Sequence, residues 1–153
     1  VIMFGFWLLL SWSISPDMII VGVILAGAMV YITSGIYPAR EWLLDPVSWF
    51  WLLIYIPYFL FYCVRANLDV AYRVLHPDVP IRPGIVRVKT TLKSSLAKTF
   101  LANSITLTPG TLTVDIDGDT LYVHWIYVAA EEPEERTKII VRRFEGLLKR
   151  IFE

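Results

Sequence analysis

The chain has 153 residues, 14 Lys and Arg against 14 Asp and Glu, and 56% apolar side chains, a composition too greasy for one water-soluble domain of that length. Its zero net charge hides an uneven distribution, because from Val1 to Val64 the only charged residues are Asp17, Arg40, Glu41 and Asp45. A single cysteine, Cys63, excludes an internal disulfide and a cysteine-based metal cluster, which sets redox chemistry aside.

Glutamine is missing and asparagine occurs only at Asn67 and Asn103, which suits a heat-adapted source. The opening Val1-Ile2-Met3 carries no basic stretch, so a signal peptide is not expected, and a few upstream residues are. Three apolar runs follow: Val1 to Trp12, Met18 to Thr33, and Val47 to Val64. Ser15-Pro16-Asp17 offers an N-cap, a proline at the first helical position and an acidic first turn, while Gly35 and Pro38 close the second helix.

A helix rises about 1.5 Å per residue and the hydrocarbon core is about 30 Å thick, so a perpendicular crossing takes roughly 20 residues. The first two runs are short by that measure. The third is long enough if Asp45-Pro46 caps it and Arg65 to Leu75 extends it, with Pro57 expected to kink it. Two to three transmembrane helices are therefore expected. Gly22 and Ala26, four apart, with Gly27 beside them, form a candidate face for packing against another subunit's helix. The aromatics of the third run read as an interfacial belt and bulky packing rather than as a cofactor box.

Basic residues set the orientation. Arg65, Arg73, Arg82, Arg87, Lys89 and Lys93 follow the third run, against Arg40 in the preceding loop, so the C-terminal half is expected in the cytoplasm. Arg65, Asp69 and Arg73 stand at successive i,i+4 spacings and make a charged ladder, a second candidate packing surface for a neighbouring subunit. His76-Pro77, Pro80 and Pro83-Gly84 break the helix. The expected division is a transmembrane helical region at 1–76, a linker at 77–84 and a small α+β cytoplasmic domain at 85–153.

That domain reads β-α-β-β-α. Ile85 to Lys89 is a strand with Val86 and Val88 on one face, and Leu92 to Asn103 is a helix whose Leu92, Leu96 and Phe100 share a face. Thr108-Pro109-Gly110-Thr111 is a turn with Gly110 at positive φ. Leu112, Val114 and Ile116 alternate with polar residues, Asp117-Gly118 turns the chain, and Thr120 to Val128 returns as the partner strand. A closing helix from Pro133 carries Glu134 and Glu135 first, Lys149 and Arg150 last, and a stripe of Ile140, Phe144, Leu147 and Ile151.

Catalytic and conducting sites are hard to assemble. A permeating cation or proton needs ionisable partners inside the membrane, and the three apolar runs hold none. His124 lies mid-strand with only His76 elsewhere, and no nucleophile elbow, Walker loop or dinucleotide fingerprint occurs. Neither a metal nor a cofactor is expected. The acidic cluster Glu131 to Glu135 reads as a helix start, and the basic run Arg82 to Lys98 as contact with membrane lipid rather than nucleic acid.

Several strings resemble the E subunit of the Mrp-type multisubunit monovalent cation/proton antiporters: Arg65-Ala66-Asn67-Leu68-Asp69-Val70, Pro83-Gly84-Ile85-Val86, and above all Leu101-Ala102-Asn103-Ser104-Ile105-Thr106-Leu107-Thr108-Pro109-Gly110-Thr111-Leu112. Tyr122-Val123-His124 and Phe144-Glu145 fit as well. The same module resembles a part of archaeal membrane-bound hydrogenases and sulfur-reducing complexes. The loop from Tyr37 to Pro46 departs from the family, where it is often strongly basic.

The resemblance implies an accessory, non-catalytic, multi-pass subunit of a cell-membrane assembly that exchanges sodium for protons. The assembly is either free-standing or part of a hydrogenase-type respiratory complex, and the partners are other antiporter-module or hydrogenase-type subunits. The alternative is a membrane-tethered sensor that binds a small effector or cation at the acidic cluster.

Overall fold

A computed structural model describes residues 2–12, 15–33 and 45–153. The chain divides into two compact units, Val1–Glu41 and Trp42–Glu153.

The first unit holds α1 (Ile2–Ser11) and α2 (Pro16–Thr33). Pro16 opens α2 where its missing N–H costs nothing. The two helices meet through Trp7, whose indole Nε1 donates to the Met18 carbonyl at 2.9 Å and whose ring lies on Gly22, where a Cβ would collide with it. Consecutive apolar side chains of α2, Ile20, Val21, Val23, Ile24 and Leu25, are all exposed. A helix that is apolar on every side calls for a lipid or protein surround. Gly35, Pro38, Arg40 and the Tyr37–Leu44 part of the departing loop lie outside the described residues.

The second unit opens with α3 (Pro46–Leu75), the one helix among the described residues that is long and apolar enough to cross a membrane. Asp45 caps it as expected, its carboxylate accepting from the backbone N–H of Val47 at 3.1 Å and of Ser48 at 3.3 Å. Pro57 sits inside the helix, and His76-Pro77 ends it, the His76 N–H closing on the Tyr72 carbonyl at 3.0 Å.

Beyond it come β1 (Gly84–Lys89), α4 (Ser95–Leu107), β2 (Thr111–Asp117), β3 (Thr120–Trp125), α5 (Pro133–Ile140) and α6 (Arg142–Phe152). The strands form one antiparallel sheet in the order β1-β3-β2. The element order follows the sequence reading, with four local differences. First, α4 starts at Ser95 rather than Leu92, because Ser94 caps it while the Lys93 and Ser94 N–H groups donate to the Glu153 carboxylate. Second, its buried face is Ala97, Leu101 and Ile105, and Leu96 and Phe100 sit at the margin.

Third, β3 ends at Trp125, although Ile126 and Val128 still donate to the Gly110 and Arg82 carbonyls, both at 2.9 Å. Fourth, the closing helix divides at Val141, whose carbonyl receives both the Phe144 and Glu145 N–H groups. Leu148 joins the expected stripe as a fully buried member, while Leu147 is half-buried.

The core lies between the sheet and its helices: Val86, Val88, Leu121 and Val123 from the strands, Leu101 and Ile105 from α4, and Ile140, Val141, Phe144, Leu148 and Ile151 from α5 and α6. On β2 the alternation holds, but the polar set turns inward. Thr111 and Thr113 are half-buried because their hydroxyls donate to α4 carbonyls, at Ile105 (2.6 Å) and Ala102 (3.2 Å). Leu112, Val114 and Ile116 are left on the open side, where a bulge between Thr113 and Asp115 shifts the register. The Thr-rich string is thus a helix stop: its hydroxyls satisfy the last carbonyls of α4, including Thr108 on Ser104 at 2.7 Å.

Candidate functional site

The long helix does not stand apart from the small domain. One face of α3, at spacings of three and four, packs on α6 and reaches α4 at Ser104: Trp51, Tyr55, Tyr58, Phe59 and Tyr62. Phe144, 1% exposed, receives the rings of Tyr55, Phe59 and Tyr62 at centroid distances of 6.5, 6.0 and 5.8 Å. Edge-on and tilted aromatic contacts of this kind contribute about 0.5–1.5 kcal/mol each beyond the buried area. The Tyr58 hydroxyl donates to the Arg143 carbonyl at 2.9 Å. Tyr55 meets Ser104 hydroxyl to hydroxyl, and because Ser104 spends its proton on the Phe100 carbonyl at 2.6 Å, Tyr55 is the donor.

Further along α3 the charged ladder becomes one wall of a cavity of about 700 Å³. Arg65, Asp69 and Arg73 face Glu135 and Lys138 of α5 and Arg143 of α6, and the floor is the Pro109–Thr111 turn with Trp125, Ile126 and Tyr127. Asp69 is committed to Arg73, at 2.8 Å from Nε. Arg73 also donates to the Pro80 carbonyl at 2.9 Å and lies over the Tyr127 ring at 4.1 Å, so it locks the segment after α3 onto the end of β3. That segment is further held by Arg82, which donates through its N–H to the Ile126 carbonyl at 3.1 Å.

Arg65 and Arg143 bring two guanidinium groups to the same cavity. Burial, with the positive Arg65 nearby, pushes Arg143 below its ordinary value, while Tyr62 and Tyr58 oppose the shift. Arg143 donates to the Ile139 carbonyl and lies 5.4 Å from the Tyr62 ring. With Lys138 and Arg73 against Asp69 and Glu135, the lining is cationic on balance and suited to an anionic group.

The structure unites the ladder Arg65, Asp69 and Arg73 at this cavity, and keeps Gly22, Ala26 and Gly27 in the other unit. Gly22 is covered by Trp7, Ala26 is half-buried, and Gly27 faces open space. The acidic cluster is dispersed: Glu131 pairs with Arg82 at 3.5 Å, and Glu135 lines the cavity. His124 is exposed on the open sheet face opposite Ile85 and Leu112. Among the described residues no three His, Cys, Asp or Glu side chains gather closely enough to hold a metal.

Sequence reasoning missed Arg143 and Lys138, whose helical face could be judged only once the break at Val141 was known. It also missed Glu145, a buried carboxylate that accepts from Thr90 Oγ1 at 2.7 Å and from the Thr91 N–H at 2.5 Å. The signal was present in the Phe144-Glu145 pair, where a charge interrupts an apolar stripe.

A family model described as Na+/H+ ion antiporter subunit matches residues 1–151. The chain belongs to this family, MNHE. The match includes the N-terminal helices as well as the strings from Arg65 onward. Among the curated proteins, the chain is 33% identical over 131 residues to the Na+/H+ antiporter subunit E1 of Staphylococcus saprophyticus, covering 84% of this chain and 80% of that one. Among solved structures it is similar to a chain of the membrane-bound sulfane sulfur reductase, an archaeal respiratory membrane complex, with 43% identity, a TM-score of 0.84, and coverage of 99% of this chain and 94% of that one.

A chain of the Mrp complex from Dietzia sp. is 28% identical, with a TM-score of 0.46 over 64% of this chain and 93% of that one. As an MNHE chain, this protein is a subunit of a multisubunit membrane complex, and its partners are other membrane subunits.

Proposed function

We propose that this MNHE chain is an accessory, non-catalytic subunit that holds together a module exchanging Na+ for H+. Residues 1–76 make its membrane region, 77–84 the join, and 85–153 a domain on the cytoplasmic face. The setting is either a free-standing Mrp-type antiporter or a respiratory complex of the hydrogenase and sulfur-reducing kind. The likeness to the archaeal sulfur-reductase chain over almost the whole length of both supports the second setting.

The observation that carries the assembly role is the open sheet face, where Ile85, Leu112 and Val114 stay more than half or half exposed, at 65%, 50% and 56%, beside His124. Apolar side chains clustered on one face of a small domain mark a surface meant for another protein. In the membrane region, Gly27 with Ala26 offers the close approach, Gly22 being filled by Trp7. Of the ladder Arg65, Asp69 and Arg73, the Asp69 carboxylate, 55% exposed while paired with Arg73, offers its outer edge to a neighbour.

Deleting the chain after Arg82 tests the role. The complex is expected to dissociate or lose subunits on gel filtration, and an intact, fully active complex would refute it. The lone chain in liposomes is expected to give no sodium-driven pH change, because α1, the Met18–Thr33 stretch of α2 and the Pro46–Val64 stretch of α3 carry no Asp, Glu, Lys, Arg or His.

A further inference from the structure

The helix that best meets the length criterion for crossing a membrane is packed against the small domain along most of its length. Contacts with the small domain begin at Trp51, whose ring lies under Arg150 at 4.4 Å, and continue through Tyr62, beside Arg143, to Arg73 on Tyr127. From Trp51 to Arg73 is about 33 Å of helix, more than the roughly 30 Å of a hydrocarbon core. If α3 crossed, the domain would travel through the bilayer with it. Exposed Arg142, Lys149 and Arg150 of α6 would then lie in hydrocarbon.

The opposite face of α3 has a different character. Phe50, Leu53, Leu60, Val64, Leu68 and Leu75 follow spacings of three, four and seven, and all are more than half exposed. This strip is about 38 Å long and uncharged. Along its flank, on the domain side, stand the exposed Arg65 and Arg150, the latter over the Trp51 ring. An apolar strip bordered by cations and aromatics is the pattern of a helix lying in an anionic membrane surface. A neighbouring apolar helix would cover the strip but leave Arg65 and Arg150 without an anion.

We propose that α3 lies in the plane of the membrane and does not cross it. Its Phe50–Leu75 strip sinks to the acyl boundary, and the exposed Arg65 and Arg150 meet lipid phosphates. The domain is thereby held against one face of the bilayer along the whole helix rather than hung from its end. The inference rests on membership of a membrane complex and is independent of which cation the complex moves.

The test uses the whole complex in native vesicles, with Cys63→Ser as background and single cysteines at exposed positions near the two ends of α3, Val47→Cys and Asp78→Cys. A membrane-impermeant maleimide is expected to label both sites in one vesicle orientation, right-side-out or inverted, and neither in the other. Labelling from opposite sides would overturn the proposal. Spin labels at Leu53→Cys, Leu60→Cys and Leu68→Cys supply a second reading through oxygen and nickel-chelate collisions. One shallow depth at all three supports an in-plane helix. A gradient toward the bilayer centre refutes it, and so does low access to both reagents, which would mean that protein covers the strip. Neither readout depends on antiport, so loss of the accessory role and loss of the in-plane helix are distinguishable.

Discussion

At Phe144 and Glu145, two adjacent side chains of one helical turn do opposite kinds of work. Phe144 gathers three rings of α3 into the core, and its replacement by Ala is expected to cost about 3–5 kcal/mol, read as a lower midpoint of unfolding for the full chain in detergent. Glu145 binds no α3 ring. It fixes the loop between β1 and α4 by accepting from Thr90 and Thr91. Glu145→Ala leaves those donors unpaired and is expected to cost about 1–3 kcal/mol, with faster amide exchange at Thr91 as its signature.

Gly110 sits at φ 89°, and a Cβ there would press on Ile126 at 3.0 Å. Gly110→Ala is expected to destabilise by at least the roughly 1–2 kcal/mol of left-handed strain, visible in the same unfolding assay. The positive φ was legible from Thr-Pro-Gly-Thr because only glycine adopts it freely. The partners of Glu145 were not, because they come from a loop 54 and 55 residues away in the chain.

Among the elements, those with local punctuation were legible and those shaped by distant contacts were not. Asp45-Pro46 and Asp117-Gly118 act within a turn of chain, so α3 begins and the β2–β3 hairpin turns where the sequence places them. The start of α4 depends on Glu153, and the inward turn of Thr111 and Thr113 depends on the carbonyls of α4, both invisible to a window of periodicity. The cavity was half legible: Arg65, Asp69 and Arg73 declare themselves by spacing, whereas Arg143 joins them only through the break at Val141.

The hairpin also carries a pH signature. Lys98 hydrogen-bonds Asp119 at 2.6 Å and, by that bond and its charge, holds the carboxyl below its usual 3.8. A lowered value stabilises the fold above the unfolded-state value and ceases to do so as pH falls through the folded one. Asp119→Asn is therefore expected to melt earlier than the parent at neutral pH, with the gap closing in acid. A gap that persisted unchanged at low pH would show that the loss is not electrostatic.

At the scale of the whole molecule, an apolar N-terminal unit with α1 and α2 is joined to a second unit in which the longest apolar helix is part of the domain's own core wall. Composition alone could divide the chain into a greasy half and a charged half. It could not show that α3 shares its rings with α6. That sharing predicts coupled unfolding: probes on α3 and on the sheet are expected to report one transition, and a separate, earlier loss of α3 helicity would contradict it.

The hydroxyl pair of Tyr55 and Ser104 acts as a key cut at one depth, which prevents the helix from sliding along its seat by a turn. A practical rule for dissection follows from it. A fragment begun at Gly84 would bare an aromatic trough and clump, whereas one begun at Asp45 keeps its own lid and its starting cap, and should be the shortest soluble piece obtainable in mild detergent.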